Sequence, residues 1–432
     1  MKNLNVRALS LLLVASGGVG VCLADAHLFY EGSEHFVLMV EHGLDTDHFR
    51  YPGRVGWYLF MAPLLVARLV TDHLPTLSAT LGVPFIMLPL VSLMFVHKAL
   101  RQRPSAALVA TIGICLPAWP WQAFWGAPWS VVIHLSWMFL ACTIAWNDGR
   151  GYRVFGYLLA GFLFFVHPLS AVPLVSVGLA GRLIGQSWRV SGVWILLGFL
   201  RGVLVLVEPH EVRRFREFSR EEVYFGFGHE GAALVVLALV LIVVAATVVS
   251  RSDRRRWAYS VAAQLAAAAS LVAYLTINPR PWLLGIDFRL WTFAVLPILL
   301  VAALRVARRS EPVPAWATLA PVAVFVGMAT ASAFSFKSEV DRLHAATQAP
   351  CVDFHALPAE FRAYPLHDAV FSHYVIATAG TYEPQAVLSW RPCADVCWQP
   401  DPASPPVFDL SVLPDRSASG KACGARVTDI LQ

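Results

Sequence analysis

Long apolar runs follow one another through residues 1–332, and they leave few folds open to this chain. Crossing a bilayer takes a helix of roughly 20 apolar residues, and most of these runs approach that length. They lie near residues 8–24, 55–70, 76–96, 105–121, 127–146, 154–184, 190–207, 231–250, 256–277, 289–305 and 315–332. The chain is 57% hydrophobic and only 14% charged, whereas a soluble domain carries about 25% charged residues. A cytosolic enzyme, a DNA-binding protein and a disordered scaffold are therefore disfavoured.

The run over residues 154–184 is too long for one ordinary transmembrane helix. His167-Pro168 divides it, and proline inside a helix removes a hydrogen bond and kinks or breaks the helix. The run is therefore either one long kinked helix or a pair of short ones. We predict an all-α fold, a membrane domain at residues 1–332 with 11 or 12 transmembrane helices.

Basic loops set the expected orientation of these helices, because Lys and Arg concentrate on the cytoplasmic side. Residues 251–256 and 305–309 are strongly basic and are expected in the cytoplasm. We expect the N-terminus there too, with the first helix uncleaved; a signal peptide cleaved near Ala24 is the alternative. Counting helices puts the basic residues 97–103 outside, unless one segment between residues 55 and 96 does not cross fully.

The last hundred residues differ from the rest in charge and in cysteine content. Residues 333–432 carry 7 basic and 11 acidic residues, whereas residues 1–332 carry 26 and 17. The tail holds Cys351, Cys393, Cys397 and Cys423. Disulfides form in oxidising compartments, so we predict a small disulfide-containing extracytoplasmic domain over residues 333–432. A zinc knuckle at Cys393 and Cys397 is the alternative, without a second ligand pair at zinc spacing.

Residues 25–54 form the most polar stretch before the tail. If residues 31–42 are helical, one face carries acidic and histidine side chains at i, i+3 and i+4 spacing. These are Glu31, Glu34, His35, Glu41 and His42. This predicts an amphipathic helix on the outer membrane surface. A desolvated carboxylate there, Asp47 included, is able to act as a base. A solvated face with ordinary salt bridges, or a divalent-cation site built from Glu31, Glu34, His35 and His42, are the other interpretations.

The order of elements at the N-terminus resembles a known family. A first apolar helix precedes Glu31-Gly-Ser-Glu34, then His42-Gly43-Leu44, Tyr51-Pro52-Gly53 and a new run from Val55. Residues 124–133 (FWGAPWSVVI) open another apolar run. This layout, with a soluble domain at the C-terminus, resembles the GT-C glycosyltransferases, in particular the protein mannosyltransferase and aminoarabinose transferase branch.

The resemblance implies a function and a set of roles. It implies inverting transfer of a sugar from a polyprenyl-phosphate donor to an acceptor hydroxyl, at the outer face of the membrane. An acidic residue of the first outside loop is then the base or the acceptor anchor, which corresponds to Glu34 or Glu31. The family's Asp-Asp or Asp-Glu pair is replaced here by Glu31-Gly-Ser-Glu34.

Several arginines are suited to hold a donor phosphate, because guanidinium binds phosphate oxygens bidentately. They are Arg50, Arg54, Arg201, Arg280 and Arg289. Arg201 lies inside an apolar run, where a charge costs several kcal/mol unless it is paired or hydrated. It either contacts a lipid phosphate or extends toward Glu208 and the interface. The histidines inside apolar runs, His134 and His167, are predicted to be hydrogen-bonded core residues.

The leading functional hypothesis is a GT-C-like transferase in the bacterial inner membrane. Its partners would be the bilayer, a polyprenyl-phosphate-linked sugar and a cell-envelope glycan, lipid or protein acceptor. Nucleic acid is not expected, because the basic residues form no clustered face. A transporter or polysaccharide-export component would need inverted repeats and midplane polar residues, and no duplicated halves are visible in the sequence. A non-catalytic scaffold of the same fold is the third hypothesis.

Overall fold

A computed structural model describes residues 6–24, 56–71, 74–122, 128–208 and 212, scattered positions between 296 and 338, and residues 387–393 and 395–401. Its regular elements within these residues are nine α-helices, two short 3₁₀ helices (Pro168–Ser170 and Arg182–Ile184) and two strands. The helices are α1 (Val6–Leu23), α2 (Gly56–Arg68), α3 (Leu74–Leu81), α4 (Val83–Ala99), α5 (Pro104–Gln122), α6 (Pro128–Ile144), α7 (Arg150–Val166), α8 (Ala171–Gly181) and α9 (Trp188–Val207). The strands are β1 (Val387–Cys393) and β2 (Asp395–Asp401).

The long run 154–184 is a pair of helices, which decides between the two predictions for it. His167 has an extended backbone and ends α7, and a single 3₁₀ turn, Pro168–Ser170, leads into α8. The His167 ring nitrogen Nδ1 accepts a hydrogen bond from the Leu169 backbone N–H at 3.2 Å. His167 therefore caps this break, which gives it the structural role that the sequence predicts.

Helices α1 and α4 run antiparallel. Near the end of α1, the Cys22 thiol donates to the Gly82 carbonyl, with 3.5 Å between sulfur and oxygen, directly before α4. At the other end, Arg7 at the start of α1 is close enough to His97 for their charges to interact. The basic residues that follow α4 thus lie at the end where α1 begins. Helices α2 and α3, of 13 and 8 residues, are both shorter than a full crossing requires.

The same end of the bundle collects three further helix connections. Arg103 before α5 pairs with Asp148 after α6, so these two loops are adjacent. The starts of α7 and α9 are adjacent too, because Arg153 and Val190 line one cavity. We call this the basic end. It carries the basic side chains Arg7, Lys98, Arg101, Arg103, Arg150, Arg153, Arg182 and Arg189. At the opposite end α1, α7 and α9 finish.

The buried core between α4, α5, α6 and α7 contains hydroxyl groups as well as apolar side chains. Thr111, Ser136 and Thr143 are buried and donate to the carbonyl four residues earlier on their own helices, at 2.8, 2.5 and 3.0 Å. The buried Ser92 hydroxyl on α4 donates across to the His134 carbonyl on α6 at 3.1 Å. These bonds satisfy the hydroxyls without water, as in helices packed away from solvent.

The outward surfaces of several helices are apolar. On α4, Val83, Met87, Val91 and Met94 repeat at i, i+4, i+8 and i+11, and all four are exposed. A soluble protein would place polar side chains on such an outer stripe. Among the described residues, Ala79–Ala99 and Trp188–Val207 are long and apolar enough to cross a membrane by length and composition, and five shorter apolar segments accompany them.

The strands β1 and β2 form an antiparallel hairpin within the acidic tail. Its register pairs Cys393 with Asp395 and Arg391 with Cys397, so the two cysteines are not directly opposite each other. Cys351 and Cys423 lie outside the described residues. The cysteines whose side chains the structure does describe, Cys22, Cys115 and Cys142, lie within the helices and are not joined in disulfides.

Candidate functional site

One face of α9 is buried and contains a charged residue, Arg201. Ser191, Trp194, Gly198 and Arg201 are buried along it, at i, i+3, i+7 and i+10 spacing. The remaining positions of α9 are mostly apolar and exposed, with Leu196 56% exposed. The helix therefore turns Arg201 inward and most of its apolar residues outward.

Arg201 is almost fully enclosed, with 3% of its surface exposed. At 1.5 Å per residue it lies about 20 Å along α9 from Trp188 and about 9 Å before Val207. It is thus nearer the opposite end than the basic end. The burial favours an inward-facing guanidinium over one that extends to an exposed interface.

Glycines fix where Arg201 lies, because they let α8 and α9 approach backbone to backbone. A Cβ atom on Gly198 would lie 2.9 Å from the Ala171 carbonyl oxygen and 3.0 Å from the Val175 nitrogen. A Cβ on Gly178 would lie 3.0 Å from the Ser191 carbonyl oxygen. Such close approach through small residues is typical of helix pairs in membranes. Arg201 follows Gly198 by almost one turn, so this contact sets its height in the bundle.

His134 is fully buried on α6, in the core rather than beside α9's exposed face. Its backbone carbonyl receives the Ser92 hydrogen bond described above. Together with the capping role of His167, this agrees with the prediction that both histidines are core residues.

The basic end contains an ion pair that sequence reasoning missed. The Arg103 guanidinium donates to both carboxylate oxygens of Asp148, at 2.5 and 2.9 Å. The hydrogen bond from Arg103 holds the pKa of Asp148 below its ordinary value of 3.8, and the same bond raises the pKa of Arg103. The 45-residue separation gives no local signal, since i, i+4 pairing applies only within one helix.

A cavity of about 390 Å³ lies close to this ion pair, and the sequence did not predict it. It is lined by Trp146, Arg150, Arg153, Val154, Tyr157 and Val190. The available signal was Arg150-Gly-Tyr-Arg153, two arginines at i, i+3 spacing at the start of an apolar helix.

Most of the predicted site residues lie outside the described residues. These are the carboxylates Glu31, Glu34 and Asp47, the arginines Arg50, Arg54, Arg280 and Arg289, and the proposed metal ligands His35 and His42. Among the residues that the structure does describe, no group of three or more His, Cys, Asp and Glu is arranged to hold a metal ion. Arg201 is the predicted site residue whose surroundings are visible.

The chain was compared with protein-family models, curated proteins and solved structures, and nothing matches it.

Proposed function

We propose that this protein is a polytopic membrane glycosyltransferase that moves a sugar from a polyprenyl-phosphate donor to a cell-envelope acceptor. The main support for this proposal is the burial of Arg201, whose guanidinium is enclosed near one end of an apolar helix. A charge is held at such depth when it is paired within the protein or faces a polar ligand or cavity, and a lipid-linked phosphate is a ligand that reaches that depth.

The distribution of polarity supports a membrane location for the first 332 residues. Exposed aliphatic stripes on α4 and α9 are matched to hydrocarbon, whereas hydroxyls and Arg201 are turned inward. From this distribution and the apolar runs of the sequence, we infer 11 or 12 transmembrane helices in residues 1–332. Lys and Arg at the basic end favour a cytoplasmic position for that end. We then expect Arg201 nearer the outer side, together with the acidic tail and the carboxylates of residues 25–54.

The chemistry that follows is inverting substitution at the sugar's anomeric carbon. A carboxylate of residues 25–54, Glu34 or Glu31 by resemblance and Asp47 by its charge, takes the proton of the acceptor hydroxyl. The hydroxyl oxygen attacks the anomeric carbon as its bond to the phosphate oxygen breaks. Polyprenyl phosphate leaves with an added negative charge, and Arg201 stabilises that charge. Arg50, Arg54, Arg280 and Arg289 are further candidates for holding the phosphate.

A transfer assay in nanodiscs tests this proposal. Radiolabelled polyprenyl-phosphate sugars and envelope acceptors are supplied to wild type, Glu34→Gln, Glu31→Gln and Arg201→Gln. We expect transfer by wild type, abolition by one of the two glutamate substitutions, and a loss of about 100-fold or more for Arg201→Gln. Arg201→Lys should recover part of it, since lysine keeps the charge but not the bidentate geometry.

Arg189→Gln is the matched control, because Arg189 is an exposed arginine on the same helix at the basic end. It should transfer at the wild-type rate. Wild-type transfer by all three of the Glu34, Glu31 and Arg201 variants would refute the assigned roles. A folded wild type that transfers none of a full donor panel, with Gln variants that complement a deletion strain, would favour the transporter or scaffold hypothesis.

A further inference from the structure

The cavity at the basic end combines an aromatic floor with a cationic rim. Trp146 and Tyr157 meet edge to face, with ring centroids 5.3 Å apart, and the buried Trp194 packs beneath both. Arg150 and Arg153 provide the charge. At i, i+3, i+4 and i+7, Arg150, Arg153, Val154 and Tyr157 form one stripe of α7, charged at the bundle end and apolar below it.

The carboxylate of the adjacent loop is already engaged. Asp148 binds Arg103 through both of its oxygens. Within the described part of the chain, neither Arg150 nor Arg153 takes part in an ion pair. Two cations at one cavity mouth that form no ion pair with any described carboxylate attract an external anion.

The apolar surface below the arginines indicates what carries that anion. Val154, Tyr157 and Leu158 on α7 and Val193 on α9 are exposed and lead away from the cavity along the outside of the bundle. A headgroup phosphate held by the two arginines would place its acyl chains along these side chains. A free phosphate ion has no acyl chains that could pack against these apolar side chains.

We propose that the cavity between α7 and α9 binds an anionic phospholipid, with its phosphate on Arg150 and Arg153. Basic pockets between transmembrane helices on the cytoplasmic side are suited to such headgroups. The site is separate from Arg201, which lies near the other end of α9. It therefore goes beyond sugar transfer, and it stands or falls independently of that activity.

Native mass spectrometry of the full chain in detergent tests the site, with phosphatidylglycerol as the probe, phosphatidylcholine as the neutral lipid and glycerol phosphate as the soluble anion. Wild type should bind phosphatidylglycerol more tightly than phosphatidylcholine. The double variant Arg150→Gln/Arg153→Gln should bind phosphatidylglycerol about 30-fold more weakly, the loss expected for two basic contacts to an anionic headgroup.

The matched control is Lys98→Gln/Arg101→Gln, which removes the same charge from exposed residues at the same end. Its affinity should stay within about twofold of wild type. Equal losses in the two double variants would overturn the proposal, because they would reflect the general charge of this end. Wild-type affinity in the Arg150→Gln/Arg153→Gln variant would also overturn it.

Competition with glycerol phosphate separates the two sources of a phosphate group. We expect no displacement of phosphatidylglycerol at equimolar glycerol phosphate, and full displacement would reassign the site to a soluble anion. If the double variant does not fold, the single substitutions Arg150→Gln and Arg153→Gln replace it. Each should weaken binding about fivefold, and unchanged binding in both would refute the site.

Discussion

Helices α6 and α9 are both apolar, yet they occupy opposite environments in the bundle. Residues Ser130–Ala145 of the α6 region are all buried, and hydroxyls there bond to the helix's own carbonyls. In α9 only one narrow face is buried, and that face carries Ser191 and Arg201. The outer face of α9 is mostly apolar, with Leu196 and Phe199 among its exposed side chains.

The contrast identifies the surroundings for which each surface is suited. A peripheral helix in water turns its polar residues outward, because the hydrophobic effect buries the apolar face. Helix α9 does the reverse. The central helix α6 is buried on all sides, so its residues do not distinguish between water and hydrocarbon around the bundle. The outward face of α9 is therefore the surface where substitutions best distinguish a hydrocarbon environment from water.

The largest effect is expected for a charge on the outer face of α9. Leu196→Lys places an ammonium group at an exposed position near the middle of that helix. In hydrocarbon this costs about 2.5–3.5 kcal/mol, whereas at a water-exposed surface the change is within about 0.5 kcal/mol. Unfolding of the purified protein in mixed micelles, by titration with sodium dodecyl sulfate, measures it. Gln102→Lys, in an exposed loop at the basic end, is the control and should be neutral.

The next effect concerns the contact that positions Arg201. Gly198→Ala introduces a methyl group 2.9 and 3.0 Å from backbone atoms of α8. Relieving this contact requires a shift of the helix backbone, which destabilises the packing. We expect a loss of about 1–3 kcal/mol in the same unfolding assay. Gly202→Ala, one turn further on, meets nothing within 4 Å and should be neutral or slightly stabilising. Equal effects of the two substitutions would contradict the close packing of α8 on α9.

The smallest effect concerns the ion pair of the basic end, whose two side chains are partly exposed. The folded pKa of Asp148 is below its ordinary value of 3.8. The pair therefore stabilises the folded state above that pH and loses its effect as the pH falls through the folded pKa. Because both side chains are partly solvated, Asp148→Asn should cost only about 0.2–1 kcal/mol at pH 7. The difference between variant and wild type should shrink below pH 3.8, and a difference independent of pH from 7 to 3 would contradict the assignment.

The sequence predicted the helices better than their arrangement. Apolar length and the position of His167-Pro168 anticipate α5 to α9 and the break between α7 and α8, because these depend on local backbone chemistry. The same pattern merges α3 and α4 into one run, and the interruption at Gly82 has no strong sequence signal. The basic residues 97–103, which counting placed outside, lie at the end where α1 begins because α1 and α4 run antiparallel.

The candidate site was predictable only in part. Arg201 stands out in the sequence, since a charge inside an apolar run is conspicuous. Its burial depends on Gly198 and on the approach of α8, a tertiary contact that no periodicity specifies. The cavity between α7 and α9 depends in the same way on residues far apart, with Trp146 and Val190 brought to Arg153 by the fold.

Photolabelling of the unmodified chain tests directly whether the outer faces of α4 and α9 contact hydrocarbon. The protein is reconstituted in nanodiscs with a phospholipid that carries a diazirine on its acyl chain, irradiated, and mapped by mass spectrometry, beside hydroxyl-radical labelling from water. We expect acyl-chain adducts on the exposed side chains Leu196 and Phe199 of α9 and Met87 and Met94 of α4, without labelling of the buried Ser191 or Arg201. Oxidation of Phe199 and Met94 from water, without lipid adducts, would contradict this expectation.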